Sequence, residues 1–184
     1  MRVALFGGSF NPPHLGHQLV ALSVLETQPV DELWMVPCFR HPFDKALAPF
    51  VDRLEMCQRA ARALGPRVHV SDVEARLGGE SRTLLTVQAL SRERPDVQLS
   101  LVIGADLVDE VSTWYGADEL RRRVGFIVIG RAGYPGPGGF EMPGISSTEV
   151  RRRLAQGEDV SALVPRLVLD YLRDKALYGL PRPT

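Results

Sequence analysis

Short apolar runs alternate five times with stretches of helical periodicity along the chain. Residues 3–6 hold no polar side chain and read as a strand buried on both faces, broken at its carboxyl end by Gly7-Gly8. From Leu15 onward, Leu19, Leu22, Val24 and Leu25 recur at helical spacing. A second apolar run, 33–36, comes after Asp31-Glu32 and is stopped by Pro37, completing a βαβ unit. Residues 38–49 are irregular and carry Arg40, His41, Asp44 and Lys45, either a loop over a site or a plain surface connection. Residues 51–64 show a helical stripe of Leu54, Met56, Cys57, Ala60, Ala61 and Leu64, which makes Met56 a core residue rather than a ligand. Residues 67–73 alternate Val68, Val70 and Val73 with His69, Ser71 and Asp72, the mark of a strand with one wetter face, and His69 reads as structural. After Gly78-Gly79 a helix is predicted over 84–92, with Ser81 or Thr83 as its amino cap. Residues 98–103 form the most apolar strand and end in Gly104-Ala105-Asp106; residues 124–129 are the fifth run. An irregular stretch rich in glycine and proline, 130–144, precedes a helix opened by Ser146, Ser147, Thr148 and Glu149, with Val150 and Leu154 inward. Pro165 starts the last helix, whose stripe is Leu167, Val168, Tyr171 and Leu172.

This alternation predicts an α/β fold: a single Rossmann-like domain over residues 1–184, a doubly wound parallel sheet of about five strands, with a helical C-terminal part from about 146. A length of 184 residues with 45% hydrophobic and 24% charged side chains suits one folded, soluble domain. Twenty-two basic and 22 acidic residues cancel, so no overall charge draws the chain to nucleic acid or an anionic membrane. The two arginine triplets, 121–123 and 151–153, read mainly as solvated helix faces. Cys38 and Cys57 have no metal-like spacing, and no apolar run approaches the roughly 18 residues of a membrane span. With no leader-like segment before the first strand, a cytoplasmic protein is expected. Monomer and oligomer are both compatible with the pattern.

Open α/β sheets bind ligands beyond the carboxyl ends of their strands, so the residues just past each run are the candidates. Gly7 and Gly8 let backbone N–H groups approach a phosphate, Pro12-Pro13 stiffen the loop beyond them, and His14 and His17 fall at the start of the next helix. A partly positive helix end, two imidazoles and glycine amides together suit a polyphosphate. Asp106 either lines the same pocket or caps the next helix. Trp114 and Tyr115 are a core plug or a stacking wall.

The string Gly7-Gly8-Ser9-Phe10-Asn11-Pro12-Pro13-His14-Leu15-Gly16-His17 resembles the signature of the HxGH nucleotidylyltransferases, and within that superfamily most closely the bacterial nicotinate-nucleotide adenylyltransferases. Similar stretches recur at 33–37, 52–56, 103–106, Trp114, Arg131 and 145–151, the last resembling the family's ISSTxIR element. Two distant motifs in the right order are more specific than either alone. The resemblance implies transfer of an adenylyl group from ATP, with Mg²⁺ carried on its phosphates, to a pyridine mononucleotide. By the same resemblance Gly7, Gly8, Ser9 and Phe10 line the ATP phosphates, His14 and His17 act at the reacting phosphorus, and Ser146, Ser147, Thr148 and Arg151 hold the phosphates from the other side. Lys45, Arg82, Thr83, Asp106, Trp114 and Arg131 would serve the acceptor. Neither a metal held by the protein nor a nucleic-acid partner is implied.

Three features depart from the family pattern. The loop reads His41-Pro42-Phe43-Asp44-Lys45 where relatives carry Pro-Pro-His-Lys, Arg82 stands where tyrosine is usual, and the segment 131–145 is short. All three bear on the acceptor substrate or a lid more than on ATP. The alternatives are another phosphorylated acceptor (nicotinamide mononucleotide, phosphopantetheine or an alcohol phosphate), a non-catalytic nucleotide-binding regulator, and a synthetase-like RNA-binding protein. Intact motifs oppose the second and neutral charge the third.

Overall fold

The computed structural model describes residues 1–41, 46–137 and 141–181. Strands β1 (Arg2–Gly8), β2 (Glu32–Pro37), β3 (Val68–Val70), β4 (Gln98–Gly104) and β5 (Gly125–Ile129) form one sheet in the order β3-β2-β1-β4-β5, every neighbouring pair parallel. The chain winds outward from β1 first toward β3 and then, through β4, toward β5. The carboxyl ends of β1 and β4 therefore flank the point where the strand order reverses, which is where such sheets open a crevice.

Side-chain alternation divides each apolar run between two layers. Val3, Leu5, Trp34, Val36, Leu99, Leu101 and Ile103 pack with residues of α3 (Val73–Leu77), α4 (Thr83–Glu93) and α5 (Ala117–Arg123). Ala4, Leu33, Met35 and Val102 face the other way, onto α1 (Leu15–Thr27) and α2 (Phe50–Arg62). A third cluster joins the far side of α2, through Met56 and Ala60, to α6 (Ser147–Ala155) and α7 (Arg166–Asp174). The C-terminal helices thus pack toward the sheet through α2. Among the described residues no helix is long and apolar enough to cross a membrane.

Several local expectations are corrected. Gly7 and Gly8 do not break β1; they continue it, paired with Val36 and Pro37, and the turn comes at Phe10 with φ 46°. In α1 the inward face is Ala21, Val24 and Leu25, while Leu19 and Leu22 are 40% and 47% exposed. The pattern misleads there because the small Ala21 joins Val24 and Leu25 on the close-packed side. Val73 leaves the third strand to begin α3, fully buried. Neither Ser81 nor Thr83 caps α4: Arg82 holds the cap position without a side-chain bond, and the Ser81 hydroxyl instead accepts the Phe39 and Arg40 amides. In α7 Leu169 replaces Leu167 in the buried stripe.

Leu5, at the centre of the sheet and 2% exposed, and Leu22 give a direct contrast. Leu5→Ala is expected to cost about 2–5 kcal/mol of unfolding free energy in urea, and Leu22→Ala no more than about 0.5 kcal/mol. Equal losses would contradict the assigned faces.

Candidate active site

The loop between β1 and α1 supplies the centre. A left-handed turn at a non-glycine residue such as Phe10 costs on the order of 1–3 kcal/mol. The Phe10 ring is 1% exposed, and burying it contributes roughly 1.5–3 kcal/mol, enough to offset the strain. It stands edge-on to Phe6 at 5.5 Å and lies 4.9 Å from the His17 ring. Aromatic packing thereby fixes both the turn and one wall of the site.

His14 occupies the cap position of α1 and His17 sits in its first turn, their ring centroids 3.7 Å apart and 32° from parallel. His17 Nδ1 accepts the backbone N–H of His14 at 3.1 Å, so in the neutral ring the proton resides on Nε2. Gly16 lets the rings lie close: a Cβ there would come within 3.0 Å of the His14 ring and press on it. No acidic residue occupies the first turn of α1, which leaves the positive helix end uncompensated. Burial, then the Arg131 cation, lowers the His14 pKa to about 4. Burial, His14 and Arg131 together hold His17 well below 6.5. Both rings are therefore neutral at pH 7 in the free protein and act as hydrogen-bonding groups. His14 Nδ1 is buried without a partner among the described residues.

The amino end of α6 meets this loop from the opposite side. Ser146 caps the helix by accepting the Glu149 amide at 3.2 Å. The Ser147 hydroxyl donates to the Pro12 carbonyl at 2.9 Å, and Arg151 Nη1 donates to the Asn11 carbonyl at 2.7 Å. Thr148 Oγ1 lies 3.4 Å from Arg151 Nη2. Beyond β4, Asp106 is paired with Arg131 at 3.0 Å and caps no helix. Its second oxygen is buried and unpartnered among the described residues. A Cβ at position 104 would fall 2.2 Å from that oxygen, so a larger residue there would push the Asp106 carboxylate aside.

Arg82 and Tyr115 meet at the start of α4, with Thr83 and Trp114 next to them in the chain. Thr83 opens α4, the Arg82 guanidinium lies over the Tyr115 ring at 5.9 Å and pairs with Glu80 at 2.6 Å, and Trp114 is half-buried against the core. The Ser81 amide donates to the Arg40 carbonyl, which ties this region to the loop after β2. Lys45 lies outside the described residues. Among the described residues no three His, Cys, Asp or Glu side chains gather as a metal site.

Sequence reasoning assigned no role to three residues that hold the loop. Asn11 is 3% exposed; its Oδ1 accepts the Ala48 amide at 3.0 Å and the Tyr178 hydroxyl at 2.6 Å. Arg53 donates to the Ser9 carbonyl from inside α2. A signal for Arg53 existed: it stands three, four and seven residues before Met56, Cys57 and Ala60, a charge within an apolar stripe. Tyr178 had none.

The family described as cytidylyltransferase-like matches residues 5–153. A protein of Anaeromyxobacter dehalogenans (strain 2CP-1 / ATCC BAA-258) described as "Probable nicotinate-nucleotide adenylyltransferase" is 50% identical over 180 residues, 96% of each chain. One of Myxococcus xanthus (strain DK1622), described in the same words, is 39% identical over 99% of this chain and 97% of its own. Among solved structures, a Plasmodium falciparum nicotinic acid mononucleotide adenylyltransferase complexed with NaAD superposes with a TM-score of 0.83, covering 98% of both chains at 21% identity. At that identity the likeness is one of fold.

The depressed histidines carry a stability consequence. Because the folded state holds His14 near pKa 4 against 6.5 ordinarily, the unfolded chain takes up its proton first as pH falls. Stability is therefore lost from about pH 6.5 down to about 4, by about 3 kcal/mol for His14 alone. Urea unfolding of His14→Gln is expected to show a flatter profile across that window than the unaltered protein; an unchanged slope would contradict the assignment.

Proposed function

The chain belongs to the cytidylyltransferase-like family, among the nicotinate-nucleotide adenylyltransferases, and on that footing we propose that it transfers the adenylyl group of ATP to nicotinate mononucleotide, releasing pyrophosphate and forming nicotinate adenine dinucleotide. The observation that carries this reading is the meeting of two distant motifs: Ser147 and Arg151 bond the carbonyls of Pro12 and Asn11 beside the stacked histidines. A polyphosphate placed there finds imidazole and amide donors on one side and hydroxyl and guanidinium groups on the other.

In the reaction an oxygen of the acceptor phosphate bonds to the α-phosphorus of ATP in line, and the bond from that phosphorus to the β-bridging oxygen breaks. No covalent intermediate with the protein is needed, so catalysis is positioning and charge stabilisation. The backbone of Gly7, Gly8, Ser9 and Phe10 lines the triphosphate. His17, with its proton on Nε2, donates to a non-bridging oxygen, and His14 does the same from the cap position. The Ser146 and Thr148 hydroxyls, the Ser147 backbone N–H and the part of the Arg151 guanidinium not bonded to Asn11 take the leaving pyrophosphate. Arg131, released from part of its bond with Asp106, offsets charge at the junction of the two substrates. Mg²⁺ prefers oxygen ligands and arrives on the triphosphate as part of the substrate. Thr83 and Trp114 bound the pyridine ring, Asp106 belongs to the acceptor side through Arg131, and Lys45 is assigned to the acceptor by the motif resemblance alone. ATP and a mononucleotide as substrates also support a cytoplasmic setting.

Pyrophosphate release from Mg-ATP should be rapid with nicotinate mononucleotide and slow with nicotinamide mononucleotide. His17→Ala is expected to lower kcat by about 10²–10³ with a much smaller change in KM for ATP. Loss of ATP affinity with kcat intact would reduce the histidine to a binding group. Arg82 adds a cation near the acceptor ring but is shared with Glu80, so Arg82→Ala should narrow the preference for the acid over the amide by about tenfold or less. An unaltered preference would remove Arg82 from the acceptor site.

A further inference from the structure

Arg53 lies in the first turn of α2 at 1% exposure, and four of its five N–H donors are engaged. Nε donates to the Ala48 carbonyl at 2.9 Å, Nη1 to Ser9 at 2.9 Å and Cys38 at 2.6 Å, and Nη2 to Phe39 at 3.3 Å. These four bonds use backbone carbonyls from three separate segments: the loop after β1, the exit of β2 and the approach to α2. Among the described residues no carboxylate forms an ion pair with it.

Burying a cation without a counter-ion costs several kcal/mol, so an apolar residue of similar volume would serve the stripe of α2 more cheaply. What the guanidinium supplies is a planar fork that can satisfy several carbonyls at once, which a lysine ammonium cannot match. One of the four carbonyls matters for chemistry. In a planar trans peptide C=O and N–H point in opposite directions, so holding the Ser9 carbonyl on Arg53 holds the Phe10 N–H away from it. Phe10 is also the residue whose left-handed turn redirects the chain toward His14.

We infer that Arg53 is a positioning residue: it orients the Ser9–Phe10 peptide for the ATP phosphates and locks that loop to the exit of β2. The inference rests on the adenylyl-transfer reading for the identity of its ligand. The bonds to Cys38, Phe39 and Ala48 anchor the guanidinium that holds this peptide. Its effect should be felt first where phosphate meets backbone.

The test compares Arg53→Lys with the unaltered protein in circular dichroism, direct binding of Mg-ATP, pyrophosphate and nicotinate mononucleotide, and turnover. Arg53→Lys is expected to fold, to weaken Mg-ATP and pyrophosphate by about tenfold or more, and to bind nicotinate mononucleotide within about threefold of the original. A folded variant with unchanged phosphate binding overturns the proposal, and so does an equal loss for all three ligands, which marks general loosening. Should the lysine variant not fold, Arg53→Gln is read in the same way; failure of both to fold assigns Arg53 to stability alone and also overturns it. Absence of pyrophosphate release by the unaltered protein would instead sink the adenylyl-transfer reading, while the ATP-binding comparison would still report on Arg53.

Discussion

The structure depends on how the polar backbone of one buried loop is satisfied. Residues 9–12 leave the regular pairing of β1 and have not yet entered α1, so their carbonyls must find donors elsewhere or be buried at a cost of about 1–3 kcal/mol each. Three of them find donors on distant parts of the chain. Ser9 receives Arg53 of α2, Asn11 receives Arg151 of α6, and Pro12 receives Ser147 of α6. The Asn11 side chain adds Ala48 and the C-terminal Tyr178. Segments separated from β1 by as much as most of the chain length thus converge on four residues.

That arrangement has an electrostatic result. With the carbonyls turned inward to protein donors, the opening of the loop presents the amino end of α1, the stacked imidazoles and the Arg131–Asp106 pair. Burial keeps the imidazoles uncharged while Arg131 supplies the cation. A site of this kind recognises an anion through oriented donors rather than through a large net charge, consistent with a chain whose acidic and basic residues are equal in number. On the proposed reading the donors are held in place before the anion arrives, so little reorganisation is needed when charge moves from the α-phosphorus to the leaving group.

The parallel sheet was legible because β1, β2, β4 and β5 are apolar on both faces and are separated by helical periodicity. The signature loop and the 146–151 segment were legible as motifs, and their facing positions come from the fold. The inward face of α1 was misread because Ala21 contributes little hydrophobicity but lies on the side packed toward the sheet. Strand β3 was overextended because alternation in a short run does not show where pairing ends; three residues pair and the next turn is helical. The residues bracing the loop were least visible. Their roles arise from tertiary contacts that leave no period in the sequence, apart from the charge of Arg53 inside an apolar stripe.

The central claim is that the paired histidines are neutral donors, with His17 held in one tautomer by the loop. Nitrogen-15 NMR of the histidine side chains, titrated from pH 8 to pH 4, tests it most directly. The account predicts that His17 carries its proton on Nε2 with Nδ1 bonded, and that both rings remain uncharged through pH 6 in the free protein. Two rings already protonated at pH 7, or His17 protonated on Nδ1, would contradict it.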